Sequence, residues 1–440
     1  MTILSYARHL EGIPNSLINL AQDTINRISS DLRSKDAIIE IPEIEKDFIG
    51  IFTDGSNVLA ERRGAGIAIF SAYSIKYGLE GNKKSIFGHS EISPEDTLMV
   101  ILPRFAMVSR ANTIMRAFEF ISTLMNFDRN IDFIVLDGSY ISTLLDPSRV
   151  ISPIYRDLLN ILRSSSAEVQ QNFSQVIDYL DTQITRMFDD IFGKGNLRTL
   201  PQDFIYNYYN IIEDIWNNTK DFMPEEALIT YHNFIITLVE QNFSAWVLCK
   251  LLERAYREGK PILWLSKDSE SRIITKNYRA INLSNDVSVL DFILRNGEIL
   301  LMDKVKFLPS IEPMKNTVLE GENPLAGRKV YALTRKLANN IYGNFGGYSL
   351  VYVKYKNFVI QFTYPRKLIK KGEIMQIISL LKQISDEGYP EPLIYTHNRT
   401  VLRKQIVENL ADGLFENCKR QGKNLLCNLI SVAGRRLAGI

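Results

Sequence analysis

A chain of 440 residues, 45% hydrophobic and 23% charged, can bury a substantial core, which excludes an intrinsically disordered protein. Its 52 basic and 50 acidic residues leave a formal charge of +2, which excludes a uniformly basic nucleic-acid binder but not a local basic channel. Cys249, Cys418 and Cys427 have no histidine or cysteine at zinc-finger spacing, so a disulfide framework and a structural zinc site are excluded as well. No secretion signal and no run of 18 uninterrupted apolar residues is present, so the expectation is a cytoplasmic protein without a membrane partner.

Residues 13 to 34 place Ile13, Leu17, Leu20, Ala21, Ile25 and Ile28 near helical spacing, which predicts an amphipathic helix. Phe48 to Thr53, Gly66 to Ser71 and Thr97 to Leu102 read as short strands separated by polar turns. Residues 108 to 125 return to helical spacing through Ile114, Ala117, Phe118, Ile121 and Leu124, and Phe133 to Leu136 is again extended. From 151 to 255 the pattern changes to apolar and aromatic clusters among acids and amides, which predicts a helical insertion whose aromatics serve mainly as core. A strand at Pro261 to Leu265 follows, then a strand pair at Ser349 to Tyr355 and Phe358 to Phe362, and a helix at 374 to 386. Pro392 to Tyr395 leads into His397, and Asn398 to Thr400 is expected to start a further helix that buries Val401, Ile406 and Leu410. The chain thus divides into an N-terminal helical segment (1–44), the first part of an α/β core (45–150), the insertion (151–255), the second part of the core (256–410) and a basic helical tail (411–440).

Two Asp-Gly-Ser steps, Asp54-Gly55-Ser56 and Asp137-Gly138-Ser139, each follow an apolar strand. Asp-Gly is an ordinary turn dipeptide, but two aspartates at strand ends can also share a hard cation such as magnesium or manganese. The glycines give the chain freedom to turn there, and the serines can orient a carboxylate, meet a phosphate or cap the next turn. Glu119, in the helix before the second aspartate, is a further carboxylate; its alternative is an exposed helix acid. Glu91, Glu95 and Asp96 compete, although Pro94-Glu95-Asp96 suggests a turn. Of four histidines, His397 has the most distinctive surroundings, and an imidazole there can bind a metal, move a proton or serve a structural hydrogen bond. His9, His89 and His232 lack such surroundings. Tyr389 can orient water or phosphate through its hydroxyl, or pack as a structural tyrosine.

With these elements in this order the sequence resembles the NurA family of archaeal and bacterial DNA-processing nucleases. The resemblance rests on Ile51 to Ser56, the helix around Glu119, Phe133 to Ser139, Trp264-Leu265-Ser266-Lys267-Asp268-Ser269, Tyr352 to Tyr355 and Gly388 to His397, and covers roughly residues 45 to 410. It implies an RNase-H-like core with a central mixed β-sheet flanked by helices, plus the helical insertion. It further implies a DNA nuclease using Mn2+, with Mg2+ as an alternative, in which Asp54, Glu119, Asp137 and His397 bind metal and Tyr389 aligns phosphate or water. Lys267, Arg272, Lys354, Lys356 and Arg366 would form a DNA track, extended by Lys276 and Arg279, with Tyr355, Phe358 and Tyr364 as stacking surfaces. The family pattern implies a homodimer, 5′-to-3′ exonuclease and single-strand endonuclease action, and partnership with the hexameric DNA-translocating ATPase HerA in end resection and double-strand break repair. No Walker A motif occurs in the sequence, so translocation would belong to that partner. An RNA hydrolase of RNase-H type and a non-catalytic DNA-end adaptor are the competing functions.

Overall fold

The computed structural model describes residues 15–193, 195–267, 269–280, 283, 285–305, 333–370 and 372–432. His9, Ile13, Asp268 and the end of the expected basic tail lie outside these residues. In chain order come helix α1 (Asn15–Ser34), strands β1 (Ile38–Glu40), β2 (Phe48–Glu61), β3 (Gly66–Glu80), β4 (Lys83–Ile92) and β5 (Met99–Ile101), helix α2 (Met107–Asn126) and strand β6 (Phe133–Asp137). The helices α3 (Tyr140–Arg163), α4 (Ala167–Phe192), α5 (Leu200–Thr219) and α6 (Leu228–Arg257) follow. Then come β7 (Ile262–Ser266), the short helices α7 (Ile273–Asn277) and α8 (Asp286–Ile293), β8 (Glu298–Leu301) and α9 (Arg335–Ala338). The hairpin β9 (Tyr348–Tyr355) and β10 (Phe358–Pro365) leads to α10 (Glu373–Gln383), α11 (Glu391–Thr400), α12 (Lys404–Arg420) and α13 (Asn424–Ile430).

All ten strands belong to one sheet in the order β1-β8-β9-β10-β7-β6-β2-β3-β4, with β5 on β3. β2, β6 and β7 run parallel at its centre, and the other pairings are antiparallel. This is the expected mixed sheet flanked by helices. Side chains alternate across it. Ile51, Ile134 and Leu136 face α2 and the helices behind it, whereas Phe52, Phe133, Val135, Leu263 and Leu265 face α10 and α11. Each fully buried aromatic or branched side chain of these layers contributes roughly 1.5–3 kcal/mol.

The insertion between β6 and β7 is built around α6, which is buried on nearly every side and so lacks the polar stripe of a surface helix. Among the described residues it is the one helix long and apolar enough to cross a membrane, yet 94% of its apolar window is buried inside the protein. Phe188, Phe192, Phe204 and Trp246 pack with Phe243 of α6, which makes them core as expected. A fully buried charged contact also joins insertion and core. The fully buried Arg110 of α2 meets Glu240 of α6 at 2.9 Å, and Tyr208 of α5 donates to the same carboxylate.

Several expected boundaries move. β2 and β3 run well past the residues expected of them and pair continuously from Phe48↔Leu79 to Glu61↔Gly66. β4, a largely exposed strand, has no apolar alternation to announce it. The first turns of α1 leave Leu17 and Leu20 more than half exposed; only Ile25, Ile28 and Leu32 are buried in it. His397 lies inside α11 rather than ahead of a helix, because a proline in the first turn is compatible with a helix start and Pro392 occupies that place. The next helix begins at Lys404, which turns its buried face to Val407, Ala411 and Cys418 and leaves Val401, Ile406 and Leu410 exposed.

Candidate active site

The parallel pairing of β2 with β6 sets Thr53 opposite Leu136, and β6 ends at the next residue, Asp137. β2 continues without a turn along β3, so Asp54 sits mid-strand beside Asp137, where its neighbour on that side stops. This corrects the expectation of a strand end at Asp54, while Asp137 does end its strand as expected. Gly138 does turn, with a φ of 101° that favours glycine, while Gly55 lies in regular strand. What Gly55 supplies is room. A Cβ built on it would lie 2.6 Å from Cγ and 2.7 Å from Oε1 of Glu119.

Strand alternation explains that close approach. Asp54 shares a face with Phe52, and Asp137 with Phe133 and Val135, so both belong to the side covered by α10 and α11. Glu119 arrives from α2 on the other side and reaches the aspartates past the bare backbone of Gly55. The hydroxyl of Thr123, one helical turn beyond Glu119, donates to the Glu119 carbonyl at 2.8 Å and lies 2.9 Å from the Thr53 hydroxyl, from which it can accept, fixing α2 on β2.

From the α11 side, His397 Nδ1 lies 2.9 Å from Asp54 Oδ2, while Asp54 Oδ1 accepts the Gly55 amide at 2.8 Å. The Tyr389 hydroxyl donates to Asp137 Oδ1 at 3.2 Å. Lys267 is exposed, with its Nζ 5.4 Å from the centre of the Tyr389 ring. Asp54, Glu119, Asp137, Tyr389 and His397 therefore converge from two faces of the sheet.

Burial dominates the acidity of the three carboxylates. It raises the Asp54 carboxyl to about 6, helped by the charge of Asp137 and opposed by His397 and Gly55. Glu119 is pushed well above the usual carboxylate range by burial and by Asp54, against the opposing charge of Arg116. Asp137 is raised by burial, with Tyr389 and Lys267 working the other way. Three crowded carboxylates that resist ionisation together are a donor set suited to a divalent cation, and all-oxygen ligands suit manganese or magnesium. Among the described residues no three His, Cys, Asp or Glu side chains already stand in a metal-binding arrangement. An ion entering here would compete with His397 for Asp54 and with Tyr389 for Asp137.

A cavity of about 730 Å³ opens onto Asp54, Glu119 and Asp137. It is also lined by Ser139, whose hydroxyl makes no helix cap, and by Arg116, Arg149, Ser269 and Gln361. His397 and Tyr389 are not part of its wall; they hold the same carboxylates from behind. The expected basic track is only partly assembled. Lys354 pairs with Asp291 at 2.9 Å, and Arg366 is held by Ser349 and Asp303. Arg272 and Lys356 are exposed, the latter in the β9–β10 turn. Tyr355 and Tyr364 are buried, which removes them as stacking surfaces, whereas Phe358 is 52% exposed. Arg116 and Arg149 are the basic residues that sequence reasoning missed; Arg116 stands one helical turn before Glu119, the spacing that puts two residues on one helix face. Glu91 lies on exposed β4, and Glu95 and Asp96 form a short 3-10 turn capped by Ser93.

A family model for the NurA domain matches residues 50–402. The chain belongs to the NurA family. No curated protein matches the sequence. Among solved structures, the NurA nuclease from Sulfolobus solfataricus aligns with a TM-score of 0.51 at 14% identity, covering 96% of this chain and 98% of that one. A NurA crystal structure with manganese aligns at 0.56 and 14% identity, covering 90% and 96%. One bound to dAMP and manganese aligns at 0.52 and 14%, covering 88% and 93%. At that identity the likeness to these NurA structures is one of fold.

Proposed function

We propose that the protein is a metal-dependent nuclease that hydrolyses DNA phosphodiesters at the Asp54–Glu119–Asp137 cluster. The observation that carries this reading is the convergence of the buried Asp54 and Glu119 and the half-buried Asp137, from β2, α2 and β6, on one cavity in a NurA-family chain. NurA structures solved with manganese and with dAMP support it. Asp54, Glu119 and Asp137 would hold the metal, with His397 as a ligand once it leaves Asp54. Bound there, manganese or magnesium would polarise the phosphoryl group and lower the pKa of an attacking water.

The chain's own residues have separable tasks. Tyr389 and His397 restrain the carboxylates of Asp137 and Asp54, which line the cavity. His397 is 54% exposed and engages Asp54 through Nδ1, which leaves Nε2 for proton exchange with solvent. Arg116 and Arg149 supply positive charge on the wall where a phosphodiester would lie. The resemblance to the family is also the support for a homodimer acting with HerA in end resection, and for 5′-to-3′ exonuclease and single-strand endonuclease action.

A manganese titration with end-labelled single- and double-stranded DNA tests the reading, with matched RNA and hybrid strands alongside. Metal-dependent DNA cleavage that disappears in Asp54→Ala and falls in His397→Ala is expected. Full activity in folded Asp54→Ala sinks the site assignment, and preferential cutting of the RNA strand moves the substrate to RNA. DNA binding with no nicking in any metal leaves an end adaptor. Product lengths report polarity, and solution mass with and without HerA reports assembly.

A further inference from the structure

The cavity that opens on the carboxylates is bounded on one side by two arginines that the aspartate cluster does not neutralise. Arg116 of α2 and Arg149 of α3 both reach Asp146, at 2.7 Å and 3.7 Å. Two guanidinium groups around one carboxylate carry a net positive charge. Behind them lies a second cavity of about 440 Å³, between the start of α2 and the middle of α3. Arg116 and Arg149 line both cavities, so the two arginines stand where the cavities adjoin. Besides the arginines and Asp146, which partly neutralises them, the second recess is walled by Phe105, Ser109, Asn112 and Pro153, a mixture of ring, hydroxyl, amide and apolar surface. Its volume is that of a small-molecule site, enough for a nucleoside and too small for a base pair with both backbones.

We propose that Arg116 and Arg149 clamp the phosphate next to the scissile one, and that the second cavity receives the nucleoside beyond it on a single strand. The inference rests on the nuclease reading and adds the path of the strand. A guanidinium fork matches two phosphate oxygens at once, which a lysine cannot reproduce. Arg149 is 64% exposed and only loosely paired with its i−3 neighbour Asp146, so it can turn to a ligand without breaking the core. Arg116 is 24% exposed and more firmly paired, which makes it the fixed half of the clamp.

The test measures binding without cleavage. The full chain in EDTA is titrated against a fluorescent single-stranded oligonucleotide, over a range of salt concentrations, by anisotropy. Arg149→Ala is expected to weaken binding about 5- to 10-fold and to flatten the log-log salt slope by about 0.7, the value for one phosphate contact on a single strand. Arg149→Lys should keep the slope and recover only part of the affinity. Arg163→Ala removes the same charge from the same helix at an exposed position outside both cavities, and should match the wild type. Unchanged affinity and slope in Arg149→Ala overturn the clamp, as does an equal loss in Arg163→Ala or no measurable binding by the wild type. Failure of the nuclease reading appears separately, as wild-type protein that binds the strand and does not cut it when manganese is added.

Discussion

A methyl group at Gly55 would press into the carboxylate of Glu119, the flexible end of a side chain rather than backbone. Gly55→Ala should therefore keep the fold and displace Glu119, lowering metal-dependent cleavage about 100-fold, since misplacement by about 1 Å costs that much. Cleavage assays beside a thermal melt check it; activity near wild type would show that Glu119 is not needed where it stands. Asp54 makes the opposite case. Its carboxyl is raised to about 6 in the fold, above its unfolded value near 3.8, so the folded state holds the proton more tightly. The stability this proton brings is present at low pH and is lost as pH rises through about 6. In EDTA, Asp54→Asn should equal the wild type near pH 4 and exceed it by about 2 kcal/mol above pH 7, while losing cleavage. Urea melts at the two pH values decide it. The carboxylates and His397 were legible as residue types set among apolar segments. That Gly55 makes space instead of a turn was not, because the atom it admits belongs to a helix more than sixty residues away.

Helix α2 brings Glu119 to the site and is held at two levels, by Thr123 on β2 and by Arg110 on α6. The second contact is a fully buried charge pair shared with Tyr208. Glu240→Gln preserves shape but leaves the Arg110 charge uncompensated, and should cost about 3–5 kcal/mol in chemical denaturation. A loss below about 1 kcal/mol would mean that the pair is replaceable by neutral packing. Alternating and helical spacing revealed the cores of these elements, since burial on one face writes a period into the sequence. Their ends were less visible. Ser56, Asn57 and Glu61 read as turn or surface residues because β2 has left β6 there and pairs with β3 alone. The arginines of the cavity wall were hidden for a related reason: Arg116 and Arg149 come together only when α2 and α3 pack side by side and share Asp146.

At the level of the whole molecule, the central parallel strands join two layers whose separate cores both end at the carboxylates. A cation bound only by the folded state stabilises it in proportion to its concentration, by about 2.7 kcal/mol at 100 times its Kd. Manganese should thus raise the melting temperature of the wild type and leave that of Asp54→Asn unmoved. The rise should shrink below pH 6, as protons compete for the same oxygens. An equal rise in Asp54→Asn would place the ion elsewhere. The sheet and its insertion were legible from chain order, whereas the two-sided approach to the carboxylates depends on which face each strand residue takes, something a one-residue error in pairing reverses.

That dependence has a consequence for the long hairpin of β2 and β3. A single-residue deletion between Phe48 and Thr53, absorbed by a slip of β2 along β3, would exchange its two faces. Asp54 would turn toward α2 and the position of Gly55 toward His397, while each residue remained of a type a strand accepts. Continuous pairing as far as Glu61 and Gly66 opposes that slip far beyond the site, so the overhanging half of the hairpin acts as a ruler for chemistry it does not touch.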